Sequence, residues 1–182
     1  MPKLLVVVGL IAMILATGFM SAKIVSDPAP GIDLVDLFSA DTLGGGKRNE
    51  GGGSFTPHFN VVRNGVARDS MVLEAPVTIH ADLSQTADDA ALEFLSTPVF
   101  NIGDGMQMDV FLTRGGQRRS VYSRYYDAGR RSEDRAWIPV SIPLGPGASR
   151  AGEQLEIRVG AGPRGDLVAD WLALSMVRVV QK

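Results

Sequence analysis

Seven of the fourteen arginines lie between Arg114 and Arg135: Arg114, Arg118, Arg119, Arg124, Arg130, Arg131 and Arg135. Only Asp127, Glu133 and Asp134 oppose them in that interval, on a chain whose net charge is −2. Guanidinium forks suit carboxylates, phosphates and interface contacts, so these arginines are the expected partner-binding residues. The same stretch holds Tyr122, Tyr125 and Tyr126, rings on which a sugar can stack. A strand's period of two puts Tyr122 and Tyr126 on one side and Tyr125 on the other. Trp137 and Trp171 read as core, because large aromatics dominate burial in a small sandwich.

Catalytic chemistry finds little support. The chain has no cysteine, which excludes disulfides, thiolate nucleophiles and cysteine-based metal sites. His58 and His80 are the only histidines, neither has a second ligand at helical metal spacing, and no G-x-S-x-G nucleophile elbow occurs. Gly160-Ala161-Gly162-Pro163-Arg164-Gly165 spells G-x-G-x-x-G, but a dinucleotide site needs a helix opening at the glycines inside a βαβ unit. A Gly-Pro turn between strands is the reading here. Asp104 with Asp109, or Asp166 with Asp170, offer the hard oxygens that calcium takes, yet turn-forming aspartates account for them better. No catalytic residue, cofactor or metal ligand is therefore expected, and the acidic balance gives no reason to expect nucleic acid.

The elements that carry these residues fall into three parts. Residues 1–23 contain an uncharged run, Leu4 to Ala22, flanked by Lys3 and Lys23. As a helix it is roughly 28 Å long, close to the hydrocarbon thickness of a bilayer. A cleavable leader would need small residues ahead of the cut, and Met20-Ser21-Ala22 fits that poorly. The run is expected to be an uncleaved transmembrane anchor. Lys3 and the amino terminus hardly outweigh Lys23, so topology rests on a weak charge signal. The expected placement is the bacterial inner membrane, N-terminus cytoplasmic and C-terminal domain periplasmic. Gly9, Ala12 and Ala16 share one face, the small-residue pattern that lets another membrane helix pack closely.

Residues 24–54 read as a Pro/Gly-rich linker with a short amphipathic segment, Ile32 to Phe38, and two triple-glycine runs. Residues 55–182 read as a β domain. Val77, Ile79, Ala81 and Leu83 alternate with polar residues, as do Met106, Met108, Val110 and Leu112. Arg114-Gly115-Gly116-Gln117 reads as a hairpin turn. Further strands are expected around Ser120–Tyr126, Ile138–Leu144, Leu155–Val159 and Trp171–Val180. Many short strands without a helical period predict a mainly β antiparallel sandwich or jelly roll behind one N-terminal helix.

The runs Arg135 to Leu144 (RAWIPVSIPL), Gly152 to Val159 (GEQLEIRV) and Asp170 to Leu174 (DWLAL) resemble the second half of galactose-binding-like jelly rolls, a likeness that covers roughly Pro76 to Val180. Many members of that fold bind carbohydrate and others bind only proteins. With its single span, the chain also resembles small accessory subunits of photosynthetic reaction centre–antenna complexes in phototrophic bacteria, although no pigment-ligating histidine lies in the span. The leading expectation is a non-enzymatic single-span subunit of a larger membrane complex, with lipid and other membrane subunits as partners. The alternative is a membrane-tethered carbohydrate-binding module at the cell envelope. On the leading reading, Gly9→Leu or Ala12→Leu blocks close helix approach but keeps hydrophobicity, so detergent extracts should lose partner subunits while the protein still inserts. Unchanged co-purification would mean that this face meets lipid.

Overall fold

The computed structural model describes residues 31–37, 53–84, 89–145 and 152–181. The segment 1–23, with Gly9, Ala12 and Ala16, lies outside them. Among the described residues no helix is long and apolar enough to cross a membrane.

Among the described residues, alternating side chains produce ten strands in two antiparallel sheets. They are β1 (Gly31–Asp33), β2 (Ser54–Arg63), β3 (Val66–Glu74), β4 (Val77–Asp82), β5 (Ala90–Pro98), β6 (Met106–Arg114), β7 (Gln117–Tyr126), β8 (Ile138–Pro143), β9 (Gln154–Ala161) and β10 (Trp171–Gln181). One helical turn, α1 (Leu34–Leu37), follows β1, and a 3-10 turn, Ser132–Arg135, precedes β8. The larger sheet runs β2-β3-β10-β5-β8 with β1 beside β10, and the smaller runs β4-β9-β6-β7. Ile79, Met108, Val110, Leu155 and Ile157 from the smaller sheet meet Leu92, Phe94, Val140, Leu172 and Leu174 from the larger in one core. The expected sandwich and the Gly115-Gly116 turn, with φ of 55° and 78°, are both present. A second two-residue turn, Asn64-Gly65, also uses positive φ at both positions and joins β2 to β3.

The larger sheet is irregular at β10. Leu172 and Leu174 enter the core, and then Val177 and Val179 do, so the inward parity switches from even to odd. An irregularity between Ser175 and Arg178 absorbs the extra residue, with Met176 at φ 56°. On the edge of β10 away from β5, Trp171–Leu174 pair with β3, whereas Arg178–Val180 pair with β1. Among the described residues, positions 66–70 of β3 therefore pair only with β2. The freed part of the β2–β3 hairpin lies over the outer face of its own sheet. Trp137 Nε1 donates to Val66 O at 3.2 Å, Ser175 Oγ donates to Asp69 O at 2.8 Å, and Arg68 Nη1 reaches Met176 Sδ at 3.4 Å. Val61, Val72 and Ala173 are buried beneath, with Trp137, Trp171 and Val99 packed against them.

Residues 31–37, which the sequence assigns to the linking segment, add a strand and a helical turn to the domain, with Leu34 fully buried in the main core. Leu34→Ala should lower stability by about 2–5 kcal/mol, the range for removing a buried leucine side chain, as read by urea unfolding. A loss under about 0.5 kcal/mol, the ordinary range for surface substitutions, would show that the segment does not dock.

Candidate functional site

The arginines expected to bind a partner are not gathered on one free surface. Arg118 makes a paired contact with Glu156, at 3.1 and 2.7 Å, and its guanidinium lies 3.4 Å over the Phe111 ring. Arg114 faces buried Glu153 at 3.8 Å, and Arg124 pairs with fully buried Asp134 at 2.7 Å. Arg119 donates to Leu144 O, Arg131 to Tyr125 O, and Arg135 to the carbonyls of Ala128 and Gly129. Burial works against the Arg124 cation, but Asp134, by hydrogen bond and charge, holds its pKa above the usual arginine value. Arg130 is exposed in the loop after Asp127, where its backbone N–H donates to Asp127 O and Oδ1. Much of this charge ties strand ends and loops to the chain itself.

The tyrosines form no common platform, and Tyr126 is a correction to the sequence reading. Tyr126 is fully buried, its hydroxyl 2.8 Å from Ser96 Oγ, and burial pushes its phenol far above the ordinary range. Tyr122 leans into the core, edge-on to Phe94 at 6.3 Å. Tyr125 points to the other side, where its hydroxyl donates to Asp104 O and Asp127 Oδ2. The irregularity at Val110/Phe111 sits within this hairpin, and the expected split of Tyr122 and Tyr126 from Tyr125 survives it.

A cleft of about 400 Å³ opens instead on the outer face of the larger sheet. Register explains its chemistry. Arg178, Glu93 and Ser141 are direct cross-strand neighbours on β10, β5 and β8, and the next pair along is Leu95 with Pro139, beside Met176 in the irregular stretch. A polar row thus lies against an apolar row. Arg178 Nη2 and Glu93 Oε2 are 3.1 Å apart. Arg68, brought over from β3 by the curled hairpin, completes the lining. Its guanidinium stacks 5.8 Å over the Trp137 ring. None of these residues stands out in sequence, because they come from four separated strands and the hairpin that brings Arg68 depends on the irregularity in β10.

At the end of the sandwich where β10 begins, the loops 99–105, 127–131 and 162–170 meet. A Cβ built on Gly103 would lie 2.7 Å from Val168 O, and one built on Gly129 would lie 3.5 Å from Asn101 O. Here the structure brings together Asp104 and Asp170, one from each sequence pair. Asp109 instead accepts from Ser123 and Gln107 on β7 and β6, and Asp166 accepts from the Val168 N–H as a turn residue. Asp104 accepts from the Arg164 N–H at 2.8 Å. Its Oδ1 and both oxygens of Asp170 are buried and meet no partner of ordinary geometry among the described residues. Burial, then the charge of Asp104, push the Asp170 carboxyl up to about 6, against partial relief from the Gly162 N–H. Among the described residues, no three of His, Cys, Asp and Glu come together as a cation site.

With this geometry established, comparison with solved structures identifies the fold. The chain is similar to the CBM51 module of Clostridium perfringens GH95, solved with methyl-galactose: TM-score 0.57 and 12% identity, over 83% of this chain and 100% of that one. It is also similar to the CBM51-2 and INT domains of Clostridium perfringens ZmpB, with TM-score 0.53 and 10% identity. That match covers 84% of this chain and 32% of the other. The tandem CBM51 modules of the family 98 glycoside hydrolase from Streptococcus pneumoniae give 0.52 and 15%, covering 84% of this chain and 47% of theirs. At these identities the likeness is one of fold. No family model and no curated protein matches the chain.

The Asp104–Asp170 pair has a pH signature. A carboxyl whose folded pKa of about 6 exceeds its unfolded value of 3.8 is more protonated folded than unfolded, so its contribution favours folding below 3.8 and is lost as pH rises to about 6. Asp170→Asn removes that loss and should be more stable than the parent at pH 7, by on the order of 1–3 kcal/mol, with the difference vanishing near pH 4. Thermal unfolding at both pH values reads it, and a variant less stable than the parent at pH 7 overturns it.

Proposed function

We propose that this domain is a non-catalytic carbohydrate-binding module, displayed at the cell envelope by the uncharged segment that precedes it. The observation that carries this reading is the two-row cleft. A sugar ring has apolar C–H faces and a rim of hydroxyls, and the cleft sets Leu95, Pro139 and Met176 beside Arg178, Glu93 and Ser141. Its volume falls in the range of small-ligand sites, enough for a mono- or disaccharide, and planar polar side chains suit neighbouring hydroxyls. The sandwich shared with CBM51 modules, one of them solved with methyl-galactose, supports the same reading. It therefore displaces the photosynthetic-complex subunit as the leading expectation.

The polarity of the fold suits a tether. Gly31 pairs with Val180, so the described domain begins at the opposite end of β10 from Trp171 and the loops around Asp170. The cleft lies along the middle of β10 and opens on a side of the sandwich, between those two ends.

Binding of galactose-containing and other neutral or acidic oligosaccharides, by glycan array and titration calorimetry, tests the proposal. Ser141→Trp, an exposed position in the polar row, should fill the cleft and weaken binding at least about tenfold without lowering the melting temperature. Tyr125→Phe, outside the cleft, should bind as the parent does. Glycan binding that survives Ser141→Trp places the site elsewhere, and a protein that binds no glycan overturns the function.

A further inference from the structure

Within the glycan-binding reading proposed above, we infer that the cleft selects an acidic sugar, its carboxylate received by the Arg68 guanidinium. The two arginines of the cleft are not equivalent. Arg178 faces Glu93 at 3.1 Å. Arg68 has no carboxylate within ion-pair distance among the described residues, and its Nη1 points to a thioether, Met176 Sδ, at 3.4 Å. A thioether is a weak acceptor, and a guanidinium carries five N–H donors. The Nε of Arg68 is buried without an acceptor among the described residues, as are those of Arg63 and Arg178, so what sets Arg68 apart is its Nη groups. Arg63, on the same hairpin, differs in that its Nη groups reach Pro98 O and Asn101 Oδ1.

Arg68 is also held in place. Its guanidinium stacks on Trp137, whose Nε1 is fixed by Val66 O, and β3 is tied down by Ser175 at Asp69 O. A cation already oriented loses little freedom on binding, so its two Nη groups act as a preformed fork. With Arg68 and Arg178 against Glu93, the formal charge of the lining is positive. Neutral hydroxyls would leave that charge unmatched, whereas a carboxylate meets the fork with two parallel N–H···O bonds. The ligand class that satisfies both the polar–apolar floor and this cation is a sugar acid, with the uronates as its simplest members.

The test uses the full-length protein in detergent, with oligogalacturonate, its methyl ester and neutral galacto-oligosaccharide of matched length. The free acid should bind roughly tenfold or more tighter than its ester, the worth of one charge-assisted pair, and the margin should shrink with added salt. Arg68→Gln should cost the acid that margin, and Arg68→Lys, which keeps the charge but loses the fork, should recover part of it. Equal binding of acid and ester by the parent protein overturns the acid preference and leaves the glycan-binding function standing. Failure to bind any of the three sugars or any array glycan overturns both. Polyglutamate that competes as well as oligogalacturonate overturns the assignment of the site to a glycan. The acid–ester comparison needs no variant, so the inference stands or falls even if Arg68 substitutions misfold.

Discussion

The irregularity in β10 is the constraint on which the cleft-bearing face depends. A regular strand would keep one neighbour along each edge and one parity of side chains on each face. With the extra residue between Ser175 and Arg178, β10 keeps β5 along one edge but exchanges β3 for β1 along the other. Two consequences follow from one local event. The core is filled continuously, by Leu172 and Leu174 before the irregularity and Val177 and Val179 after it. The β2–β3 hairpin, released from the sheet, turns over the outer face and carries Arg68 to the cleft. Met176 pays for this with a left-handed backbone conformation that a side-chain-bearing residue rarely adopts.

The curled hairpin also resolves an edge problem. Among the described residues β2 pairs only with β3, and an unpaired strand edge invites association with other chains. Pro57 sits where its pairing is irregular, between Thr56 and Phe59, and removes one backbone donor there, while Phe59 and Val62 beyond it are exposed apolar residues. The hairpin is fastened at three points, where Trp137 donates to Val66 O, Ser175 to Asp69 O and the hairpin's Arg63 to Pro98 O, so the cleft wall has a fixed position.

The arginine-rich stretch illustrates how a composition signal divides in three dimensions. Arg114, Arg118 and Arg124 each meet a carboxylate on another element, and Arg119, Arg131 and Arg135 satisfy carbonyls at strand ends and in the loop before β8. Exposed pairs of this kind contribute little individually, but Asp134 is fully buried, and removing Arg124 would leave its charge uncompensated. The arginine that the β2–β3 hairpin brings to the cleft, Arg68, lies outside that stretch, with Asp69 as its neighbour.

The sequence by itself determined the sandwich, because period-two burial is a local property: Ile79, Met108, Val110 and Ile157 can satisfy it in only one way, and Gly115-Gly116 dictates a tight turn wherever it occurs. It also excluded thiol chemistry, and it placed Tyr122 and Tyr126 opposite Tyr125. What it left open is everything that depends on which strands become neighbours. The row Arg178–Glu93–Ser141 joins residues up to 85 positions apart, and its members are ordinary polar residues on outward-facing sites. The meeting of Asp104 with Asp170, rather than either with its nearer acid, follows from loops brought together by the two sheets. Only the tertiary structure decided these, since cross-strand register is set by the sum of the packing and not by any residue's own preference.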